Sequence, residues 1–491
     1  MFTYATPESV GISSENIKKY LEILEENGIC SHGVVMARGD KIFFENYWAP
    51  FHKDYLHRQY SVTKSFVSIA IGFLEQEGKI SLDDKLIKFF PEESKFATNH
   101  YMLEQTLRDM LKMATGLHQQ NWFDICEDDR VEAYFKNTLP DSRPTGTIYD
   151  YDSSGSFMLG AVVERVTGQN LMDYLQEKLF RKIGVSENAY FLKCPGGHAW
   201  GDSALLCTTT DLLKTGRFLL NGGKWEGEQI LNEAYVREAT KKQIDNNVTG
   251  TVSFDRMGYG YQIWRSWDDS FFFNGMGCQF MFAVPGTDIV FAYNADNQGI
   301  DHGKKTVVEN FFNLISRTAG DPLPENPVAQ KELADYAASL KLMVSHGEKS
   351  SATAAEVNGV TYLLEENPMG ITKLRLDFEG DRGTLSYTNA QGDKILPFGM
   401  KENVTADFPQ EGYSDEIGKF YAPGHYYKCT TSAGWIEPKK LFLKVQIIDK
   451  YFAQLFITIA FKGDEIAIFM CKAAERFLDE YQGFAGGKKA E

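Results

Sequence analysis

The sequence of 491 residues predicts an α+β fold followed by an antiparallel β-rich domain. Apolar residues recur at helical spacing in several stretches, and these stretches end at glycine or asparagine. Between residues 253 and 297, short apolar runs alternate with turn-forming pairs that are typical of β-hairpins. After residue 345, apolar and polar residues alternate almost to the end of the chain. We therefore expect mixed helices and strands in the first part and mostly strands in the second.

The first part begins with a predicted β-hairpin at residues 32–45, which turns at Gly39-Asp40. Several later stretches carry an apolar stripe at helical spacing and predict amphipathic helices. These stretches are residues 106–117, 157–166, 211–220 and 304–319.

Four short apolar runs before residue 297 are each long enough for one strand. They are Tyr259–Trp264, Phe271–Phe273, Phe280–Val284 and Ile289–Tyr293. Turn-forming pairs separate the runs, namely Asp268-Asp269, Asn274-Gly275 and Pro285-Gly286. Because each connection is so short, the four strands should be antiparallel neighbours in one sheet.

A proline-rich connector at residues 321–327 marks a change in composition, and a bridging helix is expected from Lys331 to Val344. We therefore predict a first domain over residues 1–320, a linker with its helix over 321–345, and a third segment over 346–491. The third segment has the strand spacing of an antiparallel β-barrel or sandwich. It shows no group of residues that suggests catalysis.

The chain has 43% hydrophobic and 24% charged residues, as ordinary globular proteins do. Its net charge of -16 argues against nucleic acid or an anionic membrane surface as the main partner. No apolar run is long enough to span a bilayer, and no charged-then-apolar leader opens the chain. Seven cysteines at scattered positions form no C-x-x-C pair, which favours a reducing cytoplasm. The oligomeric state stays open.

Ser61-Val62-Thr63-Lys64 is the most informative motif of the sequence. It begins a segment with apolar residues at helical spacing, so Ser61 and Lys64 should share one face of a helix. A serine hydroxyl becomes a nucleophile when a neighbouring base takes its proton, and a partly desolvated lysine can be that base. The N-terminus of the helix would add a positive field for an oxyanion. S-x-x-K alone is a common pattern, so the surrounding sequence decides whether Ser61 is a candidate nucleophile.

Several ordered phrases around this motif resemble the serine β-lactamase and penicillin-binding protein superfamily. The likeness is strongest to the class C β-lactamase-like hydrolases and esterases. The phrases are Tyr60–Phe66, Ile80–Lys85, Thr106–Leu117, Gly146–Gly155, Leu212–Gly227 and Gly258–Gln262. The resemblance implies an antiparallel sheet flanked by helices, with a mostly helical subdomain beside it and a cleft between the two.

The second motif of that superfamily, Y-x-N, matches Tyr151-Asp152-Ser153. The resemblance implies that Ser61 attacks a carbonyl while Lys64 and Tyr151 move its proton. A tyrosine near a lysine can act as a phenolate base. Ser153 replaces the usual asparagine, so a hydroxyl stands where an amide would offer two donors.

The third motif, a Lys or His that opens K-T-G or H-x-G, falls at Met276-Gly277-Cys278-Gln279. Met276 stands in the cationic position, and a methionine offers no charge to the carboxylate of a β-lactam or peptide. An arginine elsewhere could still supply that charge. Backbone N–H groups of Ser61 and Gln279 would form the oxyanion hole by resemblance. Cys278 has no histidine placed beside it in sequence and is expected to fill space.

These observations favour a serine hydrolase that acts on a small-molecule ester, amide or peptide without a cofactor. The alternatives are a ligand-binding protein with weak or no turnover, and a DD-peptidase or β-lactamase proper. The nine histidines form no metal-binding pattern, so no metal is expected. An aromatic-rich insertion at residues 122–135 can wall the substrate cleft in such a fold.

Overall fold

The computed structural model describes residues 1–117, 122–125, 127–136, 142–414, 416, 421–475 and 477–490. These residues form two compact units. The first unit contains most of residues 1–341, and the second contains most of residues 342–491 together with Gln298–Asp301.

The first unit is built on a seven-stranded sheet. Strands β1–β12 of this unit are Thr3–Tyr4, Ser31–Arg38, Lys41–Tyr47, His57–Arg58, Tyr190–Phe191, Leu205–Cys207, Lys224–Trp225, Glu228–Gln229, Trp264–Arg265, Phe271–Gly275, Gln279–Val284 and Ile289–Ala295. The order in the main sheet is β1-β3-β2-β12-β11-β10-β9, and every pair is antiparallel except β1 with β3. Strands β4, β6 and β5 form a small second sheet beside it.

Helices surround the main sheet and build the helical subdomain. Helices α1–α12 are Ser14–Glu26, Thr63–Gln76, His100–Glu104, Leu107–Leu111, Arg130–Lys136, Ser153–Thr167, Leu171–Leu175, Arg181–Ile183, Thr209–Leu220, Glu233–Thr240, Gly303–Asn310 and Pro327–Ser339. Helix α2 packs on α6, which in turn contacts α4, α5 and α7.

The central strands are covered on both faces, which explains their continuous apolar sequences. Helix α9 lies against β2, β11 and β12. On the other face, the ring of Phe291 in β12 stacks on Phe311 at 4.4 Å between centroids and contacts Tyr20 of α1. Every residue of β10, β11 and β12 is buried. The sheet is therefore the rigid centre of this unit.

The predicted helix 304–319 is regular as α11 only to Asn310, and the predicted bridging helix Lys331–Val344 is observed as α12, Pro327–Ser339. In two other predicted elements, a left-handed residue interrupts the regular structure. The predicted helix 106–117 ends early, as α4, before Met113 with φ of 57°. The predicted strand Tyr259–Trp264 is irregular around Gln262, which also has φ of 57°. Only Trp264 lies in a regular strand, β9, while Tyr259 forms isolated bridges. A residue with this φ cannot continue a regular helix or strand.

The second unit is a closed antiparallel β-barrel. Strands β13–β22 are Thr361–Leu364, Lys373–Glu379, Arg382–Asn389, Gly392–Met400, Val404–Asp407, Lys428–Glu437, Lys440–Ile448, Phe452–Lys462, Glu465–Ala473 and Gly483–Lys489, and helix α13 is Thr353–Val357. Nine strands close when β16 pairs in parallel with β18, while β17 pairs with β18 outside the ring. Alternate residues such as Leu443, Ile457 and Ile468 form one apolar core.

Candidate active site

Ser61 lies in a 3-10 turn, Tyr60–Val62, that leads directly into α2. The hydroxyl of Thr63 accepts a 3.0 Å hydrogen bond from the Leu205 N–H, so the start of the helix is fixed to β6. Tyr60 has a left-handed φ of 48°, which costs about 1–2 kcal/mol for a residue with a side chain. The turn therefore holds half-buried Ser61 at the N-terminal end of α2, where a negative charge is favoured.

Lys64 is 1% exposed and reaches Ser61, as the i,i+3 spacing predicts. Its Nζ donates a 3.0 Å hydrogen bond to Ser61 Oγ and a 2.8 Å hydrogen bond to the backbone carbonyl of Asp202. Two fixed acceptors leave this long side chain little rotational freedom. The ammonium group is thus held beside the serine hydroxyl.

Tyr151 contacts Lys64 from the segment that precedes the N-cap of α6. The Lys64 Nζ is 5.0 Å from the centroid of the Tyr151 ring, which also packs against Trp264 at 5.6 Å. Within the described residues, no hydrogen bond joins the Tyr151 hydroxyl to Ser61 or Lys64. Lys64 therefore contacts both the hydroxyl of Ser61 and the ring of Tyr151. In the described part of the chain, the phenol oxygen of Tyr151 forms no hydrogen bond with either of these two residues.

Asp152 and Ser153 anchor this segment to α6. Asp152 is the N-cap of the helix and accepts a 3.2 Å hydrogen bond from the Gly155 N–H, while Ser153 is the half-buried first helical residue. Burial raises the pKa of the Asp152 carboxyl, and hydrogen bonds from Ser154, Gly155 and Thr115 oppose that rise. The cap thereby fixes the direction in which Tyr151 enters the site.

The four residues of the predicted third motif form the β10–β11 turn, Met276 to Cys278, and the first position of β11, Gln279. Met276 is 38% exposed, whereas Gly277, Cys278 and Gln279 are buried. Gly277 and Cys278 both have left-handed φ values, 75° and 74°. The structure thus places a cysteine in a conformation that glycine adopts more readily. Burial raises the pKa of the Cys278 thiol to about 12, so the thiolate needed for nucleophilic attack is scarce at neutral pH.

The Gln279 side chain is fully buried and locks the turn from within. Its Nε2 donates to the carbonyls of Met276 at 2.9 Å and Ala295 at 2.6 Å. Its Oε1 accepts from the side chain of Asn294 at 3.0 Å, and the same Asn294 amide donates to Gln59 Oε1 at 3.0 Å. A chain of three buried amides therefore connects the turn to the segment that carries Ser61.

Gly275 allows a close approach between β10 and this same segment. A Cβ at position 275 would lie 2.4 Å from the backbone carbonyl oxygen of Gln59. No side chain fits at that distance, so glycine is required for the packing. The end of β10 is thus held against the turn of Ser61.

Asp202 completes the surroundings of Lys64. Its carboxylate is fully buried and accepts hydrogen bonds from the indole N–H groups of Trp122, at 2.8 Å, and Trp200, at 2.7 Å. Burial raises the pKa of this carboxyl, while the charge of Lys64 lowers it. Arg130 packs on the same indoles, with its guanidinium carbon 5.1 Å from the Trp200 ring centroid.

Sequence analysis missed Asp202, Gln59 and Asn294 as parts of the site. An acid in the otherwise apolar segment around Trp200 is a weak signal that could have pointed to Asp202. The aromatic insertion differs from its interpretation as a cleft wall, because Trp122, Tyr134 and Phe135 are buried in the core. Phe123 is partly exposed, and residues 126, 137–141 and 118–121 lie outside the described residues.

In the part of the chain that the structure describes, no three His, Cys, Asp or Glu side chains are grouped as a metal site requires. No helix among those residues has the length and apolar character needed to span a bilayer.

The geometry of Ser61, Lys64 and Tyr151 agrees with the comparison to known families. The profile of the family described as Beta-lactamase matches residues 16–306. The chain belongs to the beta-lactamase family. The match covers six of the seven strands of the main sheet, the helical subdomain and every residue of the site above.

Relatives in the family include named hydrolases. The chain is 25% identical over 307 residues to the 6-aminohexanoate-dimer hydrolase of Paenarthrobacter ureafaciens, a match that covers 58% of this chain and 78% of the relative. It is 26% identical over 181 residues to Esterase EstB of Burkholderia gladioli, covering 32% of this chain and 45% of the relative.

A solved structure shares the fold over almost the full length. The octameric penicillin-binding protein homologue from Pyrococcus abyssi aligns with a TM-score of 0.52 and 15% identity. The alignment covers 96% of this chain and 99% of that chain. The structural likeness therefore extends over both units of this chain.

Proposed function

We propose that this chain is a serine hydrolase that cleaves a neutral ester or amide through an acyl-enzyme on Ser61. The observation that carries the proposal is the 3.0 Å hydrogen bond between Lys64 Nζ and Ser61 Oγ at the start of α2. A serine in this position is held, half-exposed and next to a group that can carry its proton. The named hydrolases among the relatives support the same class of reaction.

In the first step, Ser61 Oγ forms a bond to the substrate carbonyl carbon and gives up its proton to the Lys64–Tyr151 pair. The negative oxygen is stabilised by the backbone N–H of Ser61 and by an N–H of the Met276–Gln279 turn. The tetrahedral intermediate then breaks the bond to the leaving alcohol or amine, which takes the proton back through Tyr151. Water cleaves the acyl-enzyme by the same steps and frees Ser61.

The preference for neutral substrates rests on Met276. A cationic side chain at this position would attract a substrate carboxylate through a charge-assisted hydrogen bond, whereas the thioether offers only a polarisable apolar surface. Met276 follows the last residue of β10, is 38% exposed and can contact a substrate. We therefore expect β-lactams and peptides with a free carboxylate to be poorer substrates than simple esters and amides. Ser153 and the turn residues Gly277 and Cys278 would shape the rest of the site.

We further propose that residues 1–320 are the catalytic domain, that residues 321–345 link it to the β domain of 346–491, and that the protein works in the cytoplasm. None of the six described cysteines is in a disulfide, which suits a reducing compartment.

The test is active-site labelling with a fluorophosphonate probe, combined with a panel of p-nitrophenyl esters, amino-acid p-nitroanilides and nitrocefin. We expect labelling at Ser61, a rapid burst of nitrophenol from short-chain esters, and little turnover of nitrocefin. Ser61→Ala should lose labelling and turnover, while Ser94→Ala, which changes a serine outside the site, should retain both. A folded protein without labelling would contradict the proposal, and fast nitrocefin hydrolysis would contradict the preference.

A second candidate is a penicillin-binding-like protein that binds its ligand without turnover. The unbonded hydroxyl of Tyr151 and the serine at position 153 favour it, because both weaken proton transfer. Tight binding of a β-lactam or ester without a burst would support this candidate over the hydrolase.

A further inference from the structure

A cavity of about 360 Å³ lies at the C-terminal end of α2. This volume falls in the lower part of the range of ligand pockets, about 300–1,000 Å³. The walls come from the last two turns of α2, from α10, and from side chains around Arg108 and Tyr261. Lys64 is at the opposite end of α2, and the helix rise separates it from Glu75 in the cavity by about 16 Å. The cavity is therefore distinct from the candidate active site.

The inner wall of the cavity is apolar and includes the buried ring of Tyr235 on α10. A Cβ at Gly72 would lie 2.4 Å from Cε1 of this ring, so only glycine in α2 lets the ring pack so closely. The Tyr235 hydroxyl donates a 2.6 Å hydrogen bond to the Ser68 carbonyl, and the Tyr261 ring lies 5.9 Å away between centroids. Buried Leu82 completes this wall, which is thus held by contacts within the fold.

Three charged side chains line the cavity, and two of them are already paired. Arg108 donates two hydrogen bonds to the Asp83 carboxylate, at 2.8 and 3.2 Å, and a third to the Tyr261 hydroxyl at 2.7 Å. Glu238 accepts a 2.6 Å hydrogen bond from Lys241 Nζ. Each of these two pairs joins one positive and one negative group, so together they add no net charge to the cavity.

The third charged side chain is Glu75, which is half-buried. Among the described residues, no hydrogen bond or ion pair reaches its carboxylate. Burial raises the pKa of this carboxyl, the charge of Arg108 lowers it, and the charge of Asp83 raises it. A carboxylate that has lost part of its water is stabilised by a positive partner. The cavity therefore combines one uncompensated negative charge with an apolar wall.

We propose that this cavity binds a small organic amine in its protonated form, a ligand with one positive charge and an apolar body. The ammonium group donates hydrogen bonds to Glu75, while the apolar body covers the wall formed by Tyr235 and Leu82. An anion is a poor ligand, because all three nitrogens of Arg108 already donate to Asp83 or Tyr261. The inference does not depend on the proposed function, since binding requires no reaction at Ser61.

The experiment measures the binding of benzylammonium to the full chain by ligand-observed NMR at pH 7, where the amine carries its proton. All samples contain potassium chloride at about 0.15 M, so that an inorganic cation is always present as a competitor. Benzyl alcohol has nearly the same shape without the charge. We expect saturable binding of benzylammonium with a dissociation constant of about 1 mM or less. Benzyl alcohol should bind at least about tenfold more weakly.

Three variants test where the amine binds. Glu75→Gln keeps the size of the side chain and removes its charge, so benzylammonium should bind at least about tenfold more weakly. Glu15→Gln removes an exposed carboxylate on α1, which changes the net charge equally, and should bind as wild type does. Ala234→Trp adds a large ring at the exposed rim of the cavity and should abolish binding. It decides the question alone if Glu75→Gln does not fold.

Several results would overturn the proposal. The first is the lack of saturable binding of benzylammonium to folded wild-type protein. Equal affinity in wild type and Glu75→Gln would show that the amine binds elsewhere on the chain, and equal affinity for benzyl alcohol would show that the charge is not recognised. Binding that Glu75→Gln weakens, in a protein that a fluorophosphonate does not label at Ser61, would support this inference and contradict only the proposed function.

Discussion

The hydroxyl of Ser156 on α6 donates a 2.7 Å hydrogen bond to Oε1 of Gln262, far away in the sequence. The Gln262 Nε2 donates to the carbonyl of Met110 at 2.8 Å, and its backbone carbonyl accepts a 2.6 Å hydrogen bond from Ser65 on α2. One buried residue therefore joins α2, which carries Lys64, to α6, which follows Tyr151. We therefore expect the distance between the Lys64 and Tyr151 side chains to depend on Gln262.

Replacing Gln262 should reduce both stability and activity. Gln262→Leu removes the donor to Met110 and the acceptor for Ser156, and each buried group left without a partner costs about 1–3 kcal/mol. We expect a loss of about 2–4 kcal/mol in the free energy of unfolding, measured with urea, and a fall in kcat/KM on a p-nitrophenyl ester. Gln169→Leu, at an exposed position, should change stability by less than about 0.5 kcal/mol. Equal stability of the two variants would show that the Gln262 contacts are unimportant.

Adding one methyl group at Gly275 should inactivate the site. In Gly275→Ala the new Cβ would meet the Gln59 carbonyl at 2.4 Å, so β10 or the turn of Ser61 must move. A displacement near 1 Å in the reacting groups lowers rates about a hundredfold. We expect that loss in kcat/KM for the ester. Gly286→Ala, where nothing lies within 4 Å of the new Cβ, is the matched control. If Gly275→Ala kept the kcat/KM of the wild type, the close approach between β10 and the Gln59 carbonyl would be excluded.

A buried histidine pair should make the protein sensitive to acid. His32 Nδ1 and His57 Nε2 are 2.8 Å apart, and His57 Nδ1 is 2.9 Å from the Arg58 carbonyl. This arrangement suits a neutral His57 that donates to the carbonyl and accepts from His32. Burial lowers the pKa of His57 to about 3.

The direction in which pH changes the stability follows from this lowered pKa of His57. The contribution of His57 to stability is complete above its ordinary pKa of about 6.5 and is lost as the pH falls towards its folded value, at about 1.4 kcal/mol per pH unit. Between pH 7.5 and 5 we expect about 2 kcal/mol of the fall in unfolding free energy to come from His57. In His57→Gln that fall should be smaller by this amount, while exposed His52→Gln should behave as wild type. Urea unfolding at both pH values measures it, and equal pH dependence in all three proteins would refute it.

A cation at position 276 should change substrate preference. In Met276→Lys the ammonium can bond a substrate carboxylate, and a charged hydrogen bond at a partly exposed site is worth about tenfold in binding. We expect the ratio of kcat/KM for a carboxylate-bearing ester to that for a neutral ester to rise about tenfold. Val328→Lys adds the same charge on α12 and should leave the ratio unchanged. If both variants behave alike, Met276 does not contact the substrate.

Local sequence patterns predicted part of the site and most of the fold. The i,i+3 spacing of Ser61 and Lys64 predicted their contact, because a helical turn brings such residues together whatever surrounds them. The Phe-rich runs of β10, β11 and β12 predicted strands for the same reason. Their continuous apolar character reflects a sheet covered on both faces, as the structure shows.

The supporting residues could not be predicted from local patterns. Ser65 and Gln262 are 197 positions apart, and Gln59 and Asn294 are 235 apart. A glutamine or asparagine in sequence carries no sign of its distant partner. The role of Tyr151 came from resemblance to a family, since nothing in its own segment distinguishes it from the other tyrosines. Its position beside Lys64 is a contact between α2 and the segment that precedes α6.

The left-handed conformations of Tyr60, Gln262 and Cys278 have a consequence for any effort to make this protein resist heat. Glycine would relax the backbone by about 1 kcal/mol at each position, but it would also remove a buried ring, a hydrogen-bonded amide or a buried thiol. Because those losses equal or exceed the strain, none of the three exchanges should raise the melting temperature. Selection for survival at high temperature should therefore leave these positions unchanged and accumulate its mutations elsewhere in the fold.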